Sequence, residues 1–220
     1  MAADGLSSVR RRIAAAATSV GRNPSEVTLV AVSKGQPVEA IAAAYAGGHR
    51  DFGENRADEL VAKVGRLPAD IRWHFVGSLQ SRKARLVRPH TWLLHSLDRL
   101  TLLESWAKDV SHPPPVLVEV NIAAEPQKHG VAPGRIETLL EAAAAAGIEC
   151  RGLMVIPPQP DRPEDSRQWF RRLAELRRRL APAHPSLVEL SMGMTDDFEV
   201  AIEEGATVIR VGRAIFGPRQ

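Results

Sequence analysis

The sequence predicts an α/β fold, a single (β/α)8 TIM barrel with an extra N-terminal helix, occupying residues 1–220 as one domain. Three observations carry that expectation. Eight short apolar runs recur along the chain, helix-like segments lie between them, and the runs are apolar on both faces. Strict strand–helix alternation implies parallel strands joined by crossovers. A parallel sheet covered on both sides needs strands without a polar face.

Residues 4–20 read as an amphipathic leading helix, which Arg22 and the "NPSE" that follow bring to an end. The predicted strands are "VTLVAVS" (27–33), "HRDFGE" (49–54), "RWHFVGS" (72–78) and "TWLLHSL" (91–97). They continue as "PVLVEVNI" (115–122), "CRGLMVI" (150–156), "LVELSMG" (187–193) and "TVIRVGR" (207–213). Pro37 opens the helix after the first strand and Gly47–Gly48 closes it. Pro133 opens the helix that ends in "EAAAAAG", with Gly147 as its stop. Thr195, followed by Asp196 and Asp197, suits the N-cap and acidic first turn of a helix ending at Gly205. The basic stretch "RRLAELRRRL" places Leu173, Leu176 and Leu180 on one helical face, with the arginines in solvent. A doubly wound open sheet is the alternative. It is disfavoured because no GxGxxG follows the first strand and no GxxxxGK[ST] occurs.

Composition narrows the function classes. At 44% hydrophobic and 25% charged, the chain can bury a real core. No apolar run approaches the ~18 residues of a membrane helix. The single cysteine, Cys150, forbids an intrachain disulfide, fits a reducing cytoplasm and reads as a buried structural thiol. A net charge of +3 permits an anionic ligand, and one tyrosine with scattered aromatics is no stacking platform for bases. The seven histidines show neither HxxxH nor HxH spacing, so no metal site is expected.

In such a barrel the chemistry collects where strands end. There the sequence places Lys34 after strand one, Asn55 after two, Ser191 and Gly193 in seven, and Arg210 and Gly212 in eight. A lysine ending an apolar strand is either an ordinary solvated side chain or a partly desolvated, nucleophilic amine. Loops after strands seven and eight commonly hold phosphate on backbone amides. Ser191, Gly193, Gly212 and the amide of Arg213 suit that task, although glycine turns and a helix cap would look the same. A strand-one lysine facing an anion cradle suggests pyridoxal 5′-phosphate, held as an imine on Lys34.

The stretches "VAVSKGQP", "FGENRADEL", "WHFVGSLQSRK", "GLMVIPP" and "LSMGMTDDFEVAIEEGATVIRVGRAIFG" resemble the pyridoxal phosphate homeostasis (YggS-like) family, from about residue 6 to 217. The resemblance implies a barrel of the alanine racemase N-terminal type that binds pyridoxal phosphate without established turnover and serves vitamin B6 and amino-acid homeostasis. It implies that Lys34 is the imine lysine. It puts Ser191, Gly212 and the Arg213 amide on the phosphate, bordered by Met192 and Thr195, with Asn55 near the ring and Arg210 at the pyridine nitrogen. Ser78, Arg82, Thr195 and Arg213 depart from the family's usual residues.

Two main classes then compete. A racemase-like enzyme needs a proton donor on each face of the substrate, normally the lysine and a tyrosine. Tyr45 is the chain's one tyrosine and falls in the helix after strand one. An arginine at the pyridine nitrogen also weakens the ring as an electron sink. The expectation is therefore a non-catalytic carrier, with a weak racemase-like enzyme as the alternative and a sugar-phosphate aldolase-type barrel behind both. The expected partners are pyridoxal phosphate, apo-enzymes that require it and amino acids, not nucleic acid or membrane. A cytoplasmic monomer is expected, or at most a weak dimer.

Overall fold

Apolar runs of four to eight residues between helical segments become strands when neighbouring runs satisfy their backbone groups. The computed structural model of the protein, which describes residues 2–217, shows that outcome for all eight runs. After α1 (Ala2–Ser19), the strands and helices alternate as β1 (Thr28–Val32), α2 (Val38–Ala46), β2 (Asp51–Glu54) and α3 (Ala57–Val64). Next come β3 (Arg72–Phe75), α4 (Ala84–Val87), β4 (Leu93–Leu97) and α5 (Leu100–Ala107). β5 (Val116–Glu119), α6 (Ile136–Ala145), β6 (Cys150–Met154) and α7 (Arg167–Leu180) follow. The last elements are β7 (Glu189–Ser191), α8 (Phe198–Glu203), β8 (Val208–Val211) and α9 (Arg213–Phe216). The strands are parallel and close into a barrel in chain order, with β1 paired to β8 at Val30 and Arg210.

Each strand is shorter than its apolar run, because the outer residues leave the ladder to build loops. α1 buries Leu6, Val9, Ile13, Ala16 and Ala17, the spacing of one helical face. It packs so closely on α9 that a Cβ at Gly5 would lie 2.5 Å from the carbonyl oxygen of Ile215. α7 buries Phe170, Leu173, Leu176 and Leu180 and leaves its arginines outward. No described helix is long and apolar enough to cross a membrane.

One helix starts later than its cap signal suggests. α8 begins at Phe198, and the cap position is Asp197, not Thr195. The Asp197 carboxylate instead accepts hydrogen bonds from the Met194 amide (2.7 Å) and the Ser166 hydroxyl (2.8 Å). Residues 194–197 are thereby held as a loop over the carboxyl ends of the strands.

The main core lies between the strands and the helical ring, while Leu93, Leu117 and Met154 form a separate small cluster. Leu93 shares its strand face with His95, and Leu117 shares its own with Glu119. Barrel interiors of this type are usually filled by branched apolar side chains. Here Asp51, His74, His95, Glu119, Ser191 and Arg210 are all buried.

Candidate functional site

The opening of the site is a tight turn. After β1 the chain forms Ser33–Lys34–Gly35–Gln36, closed by the Gln36 amide on the Ser33 carbonyl at 3.0 Å. Gly35 has φ +69°, the left-handed value that the third position of such a turn requires. The glycine that breaks the strand is thus what swings Lys34 over the strand ends. Lys34 is half-buried and lines a cavity of about 730 Å³, within the range of small-molecule sites.

A buried ionic cluster braces this turn from beneath. Lys63 donates to the Ser33 carbonyl (2.9 Å) and to Glu54 (2.7 Å), and the Ser33 hydroxyl donates to the same carboxylate oxygen (2.7 Å). The Gly35 amide donates to Glu59 at 2.8 Å. Burial pushes the Glu54 carboxyl above its usual range, against the pull of Lys63 and Ser33. Lys63 is the lysine that binds Glu54 here, and Lys34 lines the cavity.

Around the cavity stand Asn55 from the end of β2, Glu119 from β5, Thr195 and Asp196 from the loop before α8, and Arg210, Gly212 and Arg213 from the end of β8. The Asn55 Oδ1 is buried without a hydrogen-bond partner among the described residues, an acceptor left for something else. Gly212 caps α9, and the first amides of a helix have no intrahelical acceptor. Arg213 is an exposed rim residue paired with Asp196, so its charge sits at the edge of the opening.

Arg210 is fixed from two sides. It donates to the Ser191 hydroxyl (2.7 Å) and to the Val155 carbonyl (2.9 Å). Burial lowers its guanidinium to about 10, opposed by Glu119 and Asp197, so it stays cationic at neutral pH. Glu119 is raised to about 7 by burial and by Asp98. A carboxyl that is half protonated near neutrality thus faces the same cavity as Lys34.

The structure brings Lys34, Asn55, Thr195, Arg210, Gly212 and Arg213 together around the cavity, whereas Ser191, although bonded to Arg210, and Met192 do not line it. Both are fully buried. The Ser191 side chain points into the barrel, where it contacts His95 (2.8 Å) as well as Arg210. Met192 packs in the outer core. Tyr45 lies elsewhere, donating to Asp70 at 2.6 Å with Arg50 stacked on its ring.

Sequence reasoning missed Glu119, His74 and His95. Each is a polar residue inside a mainly apolar strand run, and that was the available signal. His74 and His95 meet at 2.9 Å through neighbouring strands, although 21 positions separate them in sequence. Lys128 was missed as well. Its loop is held to the cavity wall by Asn121, which bonds Glu125 at 2.8 Å, while Lys128 donates to the Pro157 carbonyl at 3.0 Å. Cys150 is buried, and burial pushes its thiol up to about 12.

Residues 5–220 match the family model described as alanine racemase, N-terminal domain. The chain is 40% identical to the pyridoxal phosphate homeostasis protein of Aquifex aeolicus, covering 100% of this chain and 99% of that one. The protein of the same name from Escherichia coli is also 40% identical, over 99% of this chain and 96% of its own. Among solved structures, PipY of Synechococcus elongatus with PLP bound is 36% identical, with a TM-score of 0.83 over 99% of this chain and 100% of that one. With its closed eight-stranded barrel and full-length similarity at this level, the chain belongs to the alanine racemase N-terminal domain family and, within it, to the pyridoxal phosphate homeostasis proteins.

Proposed function

We propose that this protein binds pyridoxal 5′-phosphate through Lys34 and serves intracellular vitamin B6 and amino-acid homeostasis as a carrier, not as an enzyme. The observation that carries the reading is the placement of Lys34 on a braced turn facing a cavity that also contains Arg210 and the start of α9. The donor set fits the cofactor. An amine suits its aldehyde, first-turn amides and the Thr195 hydroxyl suit its phosphate, and the orphaned Asn55 Oδ1 and the Arg210 guanidinium suit its polar ring. When bound, the cofactor supplies an aldehyde that an amine takes up reversibly.

In this reading Lys34 is the covalent anchor, Gly212 and Arg213 hold the phosphate through their amides, and Arg210 stays cationic toward the ring nitrogen. Tyr45 is too far round the wall to act as a second proton donor, which supports holding over turnover. The proposal extends to one domain over residues 1–220, of which Met1 and 218–220 lie outside the described residues. It also extends to a cytoplasmic monomer that passes the cofactor to apo-enzymes.

The test is the visible spectrum of the purified protein with and without added pyridoxal phosphate, followed by borohydride reduction and peptide mapping. Yellow protein labelled at Lys34 is the expected result; labelling at Lys63 or Lys128 would overturn the assignment. One observation favours the second reading, a weak racemase-like enzyme: Glu119 is a near-neutral acid in the cavity. Alanine racemisation with kcat above about 1 s⁻¹ would decide for it.

A further inference from the structure

Five buried polar side chains from β2, β3, β4, β7 and β8 form one continuous line across the barrel interior. His74 Nε2 lies 3.2 Å from Asp51 Oδ1, and His74 Nδ1 lies 2.9 Å from His95 Nε2. His95 Nδ1 lies 2.8 Å from the Ser191 hydroxyl, which accepts from Arg210 at 2.7 Å. At the far end Arg72 grips Asp51 with two hydrogen bonds, at 2.7 and 2.5 Å.

The chemistry of the two ends allows one direction of donation when both imidazoles are neutral. A carboxylate held by Arg72 can only accept, so His74 donates from Nε2 and its Nδ1 is an acceptor. His95 must then donate from Nε2, which leaves its Nδ1 to accept the Ser191 proton. Arg210 has no acceptor atom, so the serine oxygen receives from it. Every donor meets an acceptor. Reversing any link would put two lone pairs or two protons against each other. Burial, the largest cause, holds His95 well below its usual range, which favours a neutral imidazole at this link. The charged groups facing its ends are Arg72 and Asp51 at one side and Glu119 and Asp197 at the other.

We infer that Asp51, His74, His95 and Ser191 are positioning residues for Arg210, and that Ser191 acts on a bound ligand through that guanidinium and not as a direct phosphate contact. Three observations carry the inference: the serine hydroxyl lies 2.8 Å from His95 Nδ1 inside the barrel, its oxygen already receives Arg210, and it is fully buried. The line orients the guanidinium while using only two of its N–H groups, counting the bond to Val155. The remaining donors are available to a ring or carboxylate in the cavity.

The inference rests on pyridoxal phosphate occupying this cavity, and its test separates the two. In ligand-free protein at pH 7, imidazole ¹⁵N spectra should show His95 neutral with its proton on Nε2. A proton on His95 Nδ1 would overturn the relay, whatever the protein binds. Ser191→Ala should weaken pyridoxal phosphate and phosphate-free pyridoxal alike, by about tenfold. Combined with Arg210→Gln, it should add nothing to the Arg210 defect. A Ser191→Ala loss confined to pyridoxal phosphate, or a loss that adds to that of Arg210→Gln, would make the serine a direct phosphate ligand and refute the inference. Failure of the unsubstituted protein to bind pyridoxal phosphate would instead refute the cofactor reading, leaving the spectra to decide for or against the relay.

Discussion

Glu119 offers the sharpest test of the electrostatics of the cavity. Its carboxyl is 5% exposed, and burial, then Asp98, raises it from 4.5 to about 7 against the pull of Arg210 and Arg99. Between those values the folded protein binds more protons at this position than the unfolded chain. The contribution to stability is therefore fully present below pH 4.5 and is lost as pH rises through about 7. Across that gap, at about 1.36 kcal/mol per pH unit, the loss amounts to about 3 kcal/mol. Glu119→Gln keeps the side chain's size and removes its ionisation. Its unfolding free energy relative to the unsubstituted protein should thus rise by about 3 kcal/mol between pH 4.5 and pH 8. Urea titrations at constant ionic strength measure that difference. His49, held near 4 by burial, and His95, also lowered by burial, work with the opposite sign. They are neutral in the fold and lose stability as pH falls below about 6.5. Both are present in both proteins, so they cancel from the difference. A difference that stays flat from pH 5 to pH 8 would refute the argument.

Other consequences follow from the brace beneath Lys34 and from the buried thiol. Lys63→Met leaves the Glu54 carboxyl buried without its cation, and should cost about 3 kcal/mol in urea unfolding at pH 7; a loss below about 1 kcal/mol would show that the pair does not matter. Gly35→Ala meets no atom within 4 Å, so its cost is backbone strain alone, about 1 kcal/mol. That change should also slow the trapping of a carbonyl compound on Lys34, read by borohydride labelling, because the turn aims the amine. Cys150 should resist a disulfide reagent at pH 7.5 until denaturant unfolds the barrel. Rapid labelling of the native protein would contradict its burial.

The barrel was legible because its signals are local and redundant. "VTLVAVS" and "TVIRVGR" each announce a buried strand, and Pro37 with Gly47–Gly48 punctuates the helix between strands one and two. The strand ends were less legible, since whether Ser33 or Gly77 stays in the ladder depends on loops packed above them. Lys34 could be placed from the run that precedes it and the glycine that follows. Thr195 was read as a cap because the side-chain type suits one. The helix starts at Phe198 because Asp197 binds Ser166, a partner 31 residues earlier.

The polar interior was illegible for a different reason. Strand alternation shows that His74, His95 and Ser191 fall on inward positions, but not that they meet. Meeting depends on the stagger of the barrel, which brings β4 and β7 side chains to 2.8 Å across the interior. Ser191 shows the consequence. Its hydroxyl, at a strand end two residues before Gly193, has the local signature of an anion ligand. In the fold its oxygen lies 2.8 Å from Nδ1 of a histidine 96 positions away, inside the barrel. On the inference drawn above, β7 reaches a ligand through the arginine that its serine holds on β8, and what the ligand meets there depends on the whole line back to Asp51.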